Sequence, residues 1–428
     1  MLTAIVVVFV LAYLAIALEH PLKVNKSASA LIGAGLLWTI YVLNAPAADA
    51  VVKQLNESVT GTAQIVFFLI AAMTVVEVVD AHGGFRVITS RISTTRLDTL
   101  MWIVVFVTFF LSAILDNMTT AIVMVSLMKK LLDRREDRLF FAGLIVIAAN
   151  AGGAWTPIGD VTTTMLWIGG QITSVAIMKS LLIPSLVSVL VPALVIARVL
   201  KGKPVIAPQG ADAAAEGWRS SDAEARVVFA VGMGALIGVP AFKTWTGLPP
   251  FLGLLFGLGL LWLIGELMHR GKSDEDKEGL TLASALNRID MGSITFFIGI
   301  LLAVAALEHT HLLSSLADWL DRTVGRLDLI VILIGLVSAV VDNVPLVAAS
   351  MGMYSLERFP TDSFIWEFLA YCAGTGGSIL IIGSAAGVAT MGLEKIDFLW
   401  YARKISFYAL IGYFAGAICY IAQYNLLH

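Results

Sequence analysis

The feature that most constrains this chain is an Asp-Asn pair that occurs twice, each time in the middle of a long apolar segment. Residues 112–117 read S-A-I-L-D-N, and residues 338–343 read S-A-V-V-D-N. Inside a bilayer an ionisable side chain costs roughly 2.5–3.5 kcal/mol on insertion scales, so it is kept where it faces a cavity and has a function. Asp116 and Asp342 are therefore the first candidates for functional residues.

The composition indicates an all-α integral membrane protein in a lipid bilayer. Only 14% of the 428 residues are charged, whereas soluble proteins carry about 25% charged residues. A transmembrane helix needs about 20 apolar residues, and about ten segments are candidates. They are residues 2–18, 28–43, 63–80, 139–168, 172–200, 227–242, 250–266, 291–307, 365–391 and 398–424. No P-loop, dinucleotide fingerprint or Cys/His cluster occurs, so we expect no cofactor, no nucleic-acid partner and no ATPase subunit.

The two Asp-Asn pairs interrupt segments that are too long for straight spans. Residues 98–132 and 328–357 would form helices of about 45–50 Å, whereas the hydrocarbon core of a bilayer is about 30 Å thick. A break at each Asp-Asn pair divides each segment into two short helices that return to the side from which they entered. We therefore predict one re-entrant hairpin over each segment.

A second pattern follows each predicted hairpin. Residues 152–160 read G-G-A-W-T-P-I-G-D, and residues 376–384 read G-G-S-I-L-I-I-G-S. Glycine and proline free backbone groups, which is tolerated at membrane depth where these groups line a cavity. We predict broken helices over residues 139–168 and 365–391. The residues expected at the breaks are Gly152, Gly153, Pro157, Pro345, Gly376 and Gly377.

These patterns divide the chain into two repeats of one unit. Residues 1–200 form the first repeat, residues 227–428 form the second, and the polar residues 201–226 are the predicted linker. Each unit contains five crossings and one hairpin, and because five is odd the second unit is inverted relative to the first. Inverted repeats with broken helices that meet near the midplane are typical of secondary transporters.

The distribution of basic residues predicts the orientation in the membrane. With the N-terminus outside, 22 of the 28 Lys and Arg residues lie on the cytoplasmic side and 6 on the other side. Cytoplasmic loops carry the excess of Lys and Arg in membrane proteins. We therefore expect both termini to be extracytoplasmic and the linker to be cytoplasmic.

The residue types at the four breaks favour a small cation as the substrate. Carboxylate, amide, hydroxyl and free carbonyl oxygens are ligands for hard cations. An anion would need Arg or Lys, and neither occurs within the breaks. Neighbouring carboxylates repel each other, so at least one should hold a proton when no cation is bound. Proton and metal ion then compete for one site, and alternating access converts this competition into exchange.

Three motifs resemble those of the NhaD-type sodium/proton antiporters of the ion transporter superfamily. They are D-N-M-T-T at 116–120, G-G-A-W-T-P-I-G-D at 152–160 and D-N-V-P at 342–345. The resemblance covers nearly the whole chain and implies a Na+(Li+)/H+ antiporter of a prokaryotic inner membrane. It also implies a homodimer in which each protomer has a scaffold part and a moving part.

The resemblance also implies the site residues. Ion or proton ligands are expected at Asp116, Asn117, Asn150, Asp160, Thr162, Thr163, Asp342, Asn343, Ser378 and Ser384. Sodium itself is expected at Asp116, Asn117, Asp160 and Asp342. Glu77 is added as a possible proton relay, with a structural hydrogen bond as the alternative. Because Ser384 stands where the first repeat has Asp160, we expect one dominant acidic site nearer the first repeat.

Other interpretations remain open from the sequence. Asp116 and Asp342 could serve as helix N-caps, which Asp does well. An anion transporter or sodium/dicarboxylate symporter of the same superfamily would take up an organic acid with little effect of pH. A channel-like or metalloid efflux subunit would need an ATPase partner, for which the sequence has no docking signature. We do not expect an enzyme, because the sequence contains no nucleophile–base pair or metal triad.

Overall fold

The computed structural model describes residues 1–89, 92, 94–206, 220–273, 277 and 279–427. Within these residues the chain is helical, without a strand. Eight helices of this part are long and apolar enough to cross a membrane, and shorter apolar helices accompany them. The prediction of an all-α multi-pass membrane protein is confirmed. The count differs from ten because the helix Leu2–Ala17 has only 16 residues and residues 365–391 form two short helices.

The helices are numbered in chain order. The first part of the chain contains α1 (Leu2–Ala17), α2 (Glu19–Leu22), α3 (Lys26–Asn44), α4 (Ala48–Ala81), α5 (Arg86–Thr89), α6 (Leu97–Ser112), α7 (Asn117–Leu131), α8 (Arg135–Ala154), α9 (Val161–Ile168) and α10 (Ser174–Leu200). The second part contains α11 (Asp222–Thr246), α12 (Pro250–His269), α13 (Leu282–Leu286), α14 (Met291–His309), α15 (Leu312–Thr323), α16 (Leu327–Val337), α17 (Asn343–Met353), α18 (Phe364–Gly376), α19 (Ala385–Glu394), α20 (Phe398–Lys404) and α21 (Ser406–Leu427).

The main helices recur in the same order in both parts. Each part has three helices, then a pair interrupted at the Asp-Asn sequence, then a second interrupted pair and a long final helix. The first pairs are α6–α7 and α16–α17, and the second pairs are α8–α9 and α18–α19. The interruptions lie inside the ranges expected for hairpins and broken helices. The re-entrant course and the inverted orientation stay predictions.

Glycine allows the two interrupted pairs of each part to approach closely. A Cβ atom on Gly152 would meet the carbonyl oxygen of Phe109, and one on Gly376 would meet that of Gly335. Both glycines thus touch the backbone of the first arm of the preceding pair. Any side chain here would push two packed helices apart, and closely packed cores do not absorb such shifts cheaply.

Serine hydroxyls join the same helices at equivalent positions. Ser112 donates a hydrogen bond to the carbonyl oxygen of Ala149 at 2.6 Å, and Ser338 donates one to that of Ala373 at 2.9 Å. These bonds run to the first helix of the following interrupted pair, α8 or α18, rather than back along the same helix. The two parts therefore share backbone packing as well as element order.

The breaks differ in detail from the predicted ones. Gly152 and Gly153 lie inside the last turn of α8, where a Cβ atom on either glycine would meet neighbouring backbone atoms. The first break follows them and contains Pro157. Gly376 is the last residue of α18, and Gly377 begins the second break. The unwound backbone is therefore at 155–160 and 377–384.

The second part begins before the predicted residue 227. The first residue of α11 is Asp222, because Ser221 forms a capping box with Glu224. The Ser221 hydroxyl accepts from the Glu224 N–H at 3.2 Å, and the Ser221 N–H donates to the Glu224 carboxylate at 2.8 Å. Within the predicted linker 201–226, residues 207–219 lie outside the described residues.

The helices pack in two groups. One group contains α1, α3, α4, α11, α12 and α14, and the other contains α6–α10 and α16–α21. The most extensive contact between the groups is that of α17 with α14. All four interruptions belong to the second group, so the candidate site is built almost entirely within it.

Candidate functional site

Asp116 caps the second arm of the first hairpin segment. Its Oδ1 accepts from the Thr119 N–H at 2.8 Å, and its Oδ2 accepts from the Thr119 hydroxyl at 2.5 Å. One residue thus engages both carboxylate oxygens and fixes the start of α7. Asp116 also lines a cavity together with Asp160. Capping and exposure to a cavity therefore occur together at this residue.

Asp342 caps α17 in a different way because Pro345 takes the position that Thr119 has in the first part. Proline has no N–H and no hydroxyl, and Pro345 lies in the first turn of α17 rather than in a helix break. Asp342 Oδ1 accepts from the Val344 N–H at 3.2 Å. Its Oδ2 accepts from the ammonium of Lys26 at 2.8 Å. Lys26 is not predicted from the sequence, because it lies 316 positions away and carries no local signal of a site.

Asp160 is the centre of a buried hydrogen-bond network. Its Oδ2 accepts from Nδ2 of Asn117 at 2.6 Å and from Nδ2 of Asn343 at 3.5 Å. Its Oδ1 accepts from the N–H and the hydroxyl of Thr162, both at 2.8 Å. Only 2% of Asp160 is exposed. One asparagine from each Asp-Asn pair therefore meets the same carboxylate.

Asn150 extends this network to the second broken helix. Its Oδ1 accepts from Nδ2 of Asn117 at 3.0 Å, and its Nδ2 donates to the hydroxyls of Ser378 and Ser384, both at 2.9 Å. The Thr163 hydroxyl supports the network by donating to the backbone oxygen of Asp160 at 2.9 Å. The interruptions of all four helix pairs are thus joined by side-chain hydrogen bonds.

The structure brings together part of the predicted sodium ligand set. Asn117 and Asp160 are in direct contact, whereas Asp116 and Asp342 are engaged by Thr119 and Lys26. Among the described residues no three His, Cys, Asp or Glu side chains form a metal cluster. The ligands on offer are one carboxylate with amide and hydroxyl oxygens, a mixed oxygen set that suits a hard cation of low charge.

Two cavities meet at the network. One, of about 60 Å³, is mostly apolar and is lined by Asp116 and Asp160. The other, of about 350 Å³, opens to the surface and is lined by Lys26 and Asp342. The residues that line both cavities are Met118, Ser293 and Ala385. The cavity that contains Asp342 therefore lies next to the one that contains Asp160.

Glu77 lies apart from this network. Its carboxylate forms an ion pair with Arg288 at 3.8 Å, and it is not among the residues that line either cavity. This position favours the structural alternative for Glu77. Its role as a proton relay stays a prediction.

Comparisons with known proteins identify the relatives of this chain. A family described as "Citrate transporter" matches residues 9–366. The chain is 49% identical to "Sodium/proton antiporter 1" of Arabidopsis thaliana over 99% of its length and 73% of the relative. It is 44% identical to "Sodium/proton antiporter 2" of the same plant over 97% and 98% of the two chains. It is 30% identical to the Na(+)/H(+) antiporter NhaD of Vibrio cholerae over 98% and 91%. The chain therefore belongs to the citrate transporter family and groups within it with the NhaD-type sodium/proton antiporters.

Proposed function

We propose that this protein is a secondary active antiporter that exchanges Na+ or Li+ for H+. The observation that carries the proposal is the environment of Asp160. This buried carboxylate lies beside a cavity and is held only by neutral donors from Asn117, Asn343 and Thr162. A cation can replace these donors, because amides and hydroxyls also offer oxygen atoms.

Charge argues against citrate as the substrate, although the family description names it. Among the described residues no Lys or Arg lines the cavity beside Asp160. The larger cavity contains Lys26, but its charge is balanced by Asp342 at 2.8 Å. A tricarboxylate needs positively charged partners for recognition, and the net charge of this site has the opposite sign.

Exchange follows when proton and cation use the same carboxylate. A carboxylate that holds Na+ cannot hold a proton on the same oxygen, and desolvation disfavours a charged carboxylate that holds neither. The loaded forms would then be the ones that cross between the two sides. Each cycle would carry a cation in one direction and protons in the other, which is alternating access with competing ligands.

Orientation and assembly complete the proposal. The excess of Lys and Arg on one side supports extracytoplasmic termini, and the bacterial NhaD relatives support the inner membrane of a prokaryote. We take the group that contains α3 as the scaffold part and the group that contains α17 as the moving part, with α17 as the main contact between them. We propose a homodimer formed by the scaffold groups. Cross-linking in native membranes would test it, and a monomer as the sole species would contradict it.

The transport experiment uses everted vesicles from a strain without its own antiporters. A pH gradient is formed by respiration and followed with a pH-sensitive dye while Na+, Li+, K+ or choline is added at pH 7 to 9.5. We expect Na+ and Li+ to dissipate the gradient in vesicles that contain this protein but not in vesicles from the empty-vector strain. If none of the three metal ions dissipates the gradient over this pH range and the vesicles take up radiolabelled citrate, the result would instead support an anion transporter.

A further inference from the structure

We propose that Lys26 is a tethered cation that occupies Asp342 when no transported ion is bound and that the transported ion must displace. This inference rests on the proposed function. It assigns to Lys26 a role in setting the affinity for Na+ and in reporting the occupancy of the site to the helix group that contains α3. None of the motifs of the sequence includes this residue.

The geometry places the ammonium where a metal ion would bind. Lys26 Nζ is 2.8 Å from Asp342 Oδ2 and lies 4.4 Å from the centre of the Phe296 ring. The ring supplies a further weak attraction for a cation. Both charged side chains are mostly covered, with 25% of Lys26 and 15% of Asp342 exposed. Such a covered pair is less screened by salt than a surface ion pair.

The asymmetry between the repeats explains why a lysine is needed here. In the first part Thr119 occupies both oxygens of Asp116 with its N–H and its hydroxyl. In the second part Pro345 offers neither group, so one oxygen of Asp342 is left free by its own helix. Lys26 occupies that oxygen, and an arriving Na+ would compete for it with a charge of the same sign.

The displaced ammonium has alternative partners in the same cavity. Glu19 and Asp290 both line the cavity that contains Lys26 and Asp342. Displacement therefore moves the ammonium towards other carboxylates instead of leaving an unpaired charge. This limits the cost of replacing one cation by another at Asp342.

The ion pair also connects the two packing groups. Lys26 is the first residue of α3, in one group, and Asp342 is the N-cap of α17, in the other. Breaking the pair on cation binding removes one attachment between them. A lysine at this position therefore couples ion occupancy to the freedom of the hairpin arm to move.

The first test needs no mutation. The purified full-length protein in detergent is treated with formaldehyde and cyanoborohydride in choline chloride or in NaCl of equal ionic strength, and methylation is followed by mass spectrometry. Lys243 is the internal control, since it lies over the Trp167 ring at 4.5 Å and donates to the Trp167 carbonyl oxygen, and it pairs with no carboxylate of the residues that the structure describes. We expect Na+ to raise the methylation rate of Lys26 by roughly five- to tenfold and to leave Lys243 unchanged.

The second test uses transport by three variants in the vesicle assay. Lys26→Met keeps the length of the side chain without its charge, Lys26→Arg keeps the charge, and Lys243→Met is the matched control. We expect the half-saturating Na+ concentration to fall by roughly five- to tenfold in Lys26→Met. It should stay within about twofold of wild type in Lys243→Met, and it should not fall in Lys26→Arg, whose guanidinium keeps the competing charge.

The outcomes separate this inference from the proposed function. Wild-type vesicles that do not respond to Na+ would refute the antiport proposal, whatever the variants do. Active wild type with an unchanged or higher half-saturating concentration in Lys26→Met would refute only the role of Lys26. If Lys26→Met fails to fold, the methylation experiment decides. An equal methylation rate of Lys26 in NaCl and in choline chloride would exclude displacement.

Discussion

Replacement of Asp160 by Asn tests the central assignment most directly. The substitution keeps the shape of the side chain but removes its charge and one of its two acceptor oxygens. Asp160 accepts from Asn117 and Asn343 on one oxygen and from Thr162 on the other. In Asp160→Asn an NH2 group replaces one of the two oxygens. At least one of the donors on that side therefore loses its acceptor.

The magnitude of the effect on cation binding follows from the lost charge. A full charge about 2.5 Å from a bound cation contributes roughly 7 kcal/mol at an effective dielectric constant of about 20. The amide oxygen that remains recovers part of this attraction. Even if it recovers half, the remaining loss exceeds about 3 kcal/mol and weakens Na+ binding more than roughly 100-fold.

Folding should change much less than transport. The variant loses one or two hydrogen bonds to a charged group, about 1.5–3 kcal/mol each. The variant no longer buries a charge, and this gain in free energy is of opposite sign to the lost hydrogen bonds and of similar order. We therefore expect a protein that is produced and monodisperse in detergent, with an unfolding free energy within about 2 kcal/mol of wild type.

The assay is the dissipation of the pH gradient in everted vesicles as a function of Na+ concentration. The matched control is Asp98→Asn, the same substitution at the start of α6, away from both cavities, where Asp98 pairs at 2.7 Å with Arg96, which is 61% exposed. The control should behave as wild type, because exposed pairs contribute about 0–1 kcal/mol. A half-saturating Na+ concentration in Asp160→Asn within threefold of wild type would refute the assignment of Asp160 as the cation ligand.

Three further substitutions test the packing and the surrounding network. Gly376→Ala should lower the unfolding free energy by about 1–3 kcal/mol through overpacking. The control Gly392→Ala has open space around it and should not lower the unfolding free energy. Equal thermal unfolding of the two variants in detergent would contradict this prediction. Ser384→Ala removes one of two acceptors of Asn150 and should raise the half-saturating Na+ concentration about fivefold; no change would show that this hydroxyl is dispensable. Thr119→Val should cost about 1 kcal/mol in thermal unfolding, and a stability equal to wild type would argue against the cap.

Much of the candidate site could be predicted from the sequence because its residues carry a free-energy cost inside a membrane. A carboxylate in an apolar segment is expensive, and a glycine pair before a second polar residue signals a break. Asp160 satisfied these rules, the resemblance to the antiporters implied Asn117 and Asn150, and the structure joins the three by hydrogen bonds. The repetition of the pattern supplied the remaining step, since it predicted that tips from both parts meet.

The contacts of single side chains could not be predicted in the same way. Lys26 lies near the end of a span, where basic residues are common and need no explanation. Its pairing with Asp342 depends on the absolute position of α3 relative to α17, which no local pattern specifies. Glu77 lies in an apolar helix, where both a proton relay and a structural role were open, and its ion pair with Arg288 fits the structural alternative while the relay stays a prediction.

The two repeats illustrate how duplicated packing can support one function. The glycine and serine contacts that hold the helix pairs together are the same in both parts, so the backbone geometry of the site is shared. Among the polar groups that differ, two bear directly on the carboxylates, since Ser384 replaces Asp160 and Pro345 replaces Thr119. The first difference leaves one buried carboxylate at the centre instead of two that would repel each other. The second leaves an oxygen of Asp342 for a cation, which Lys26 fills. Under the two proposals made above, the asymmetry assigns one acid to cation binding and one to coupling, which two identical repeats would not provide.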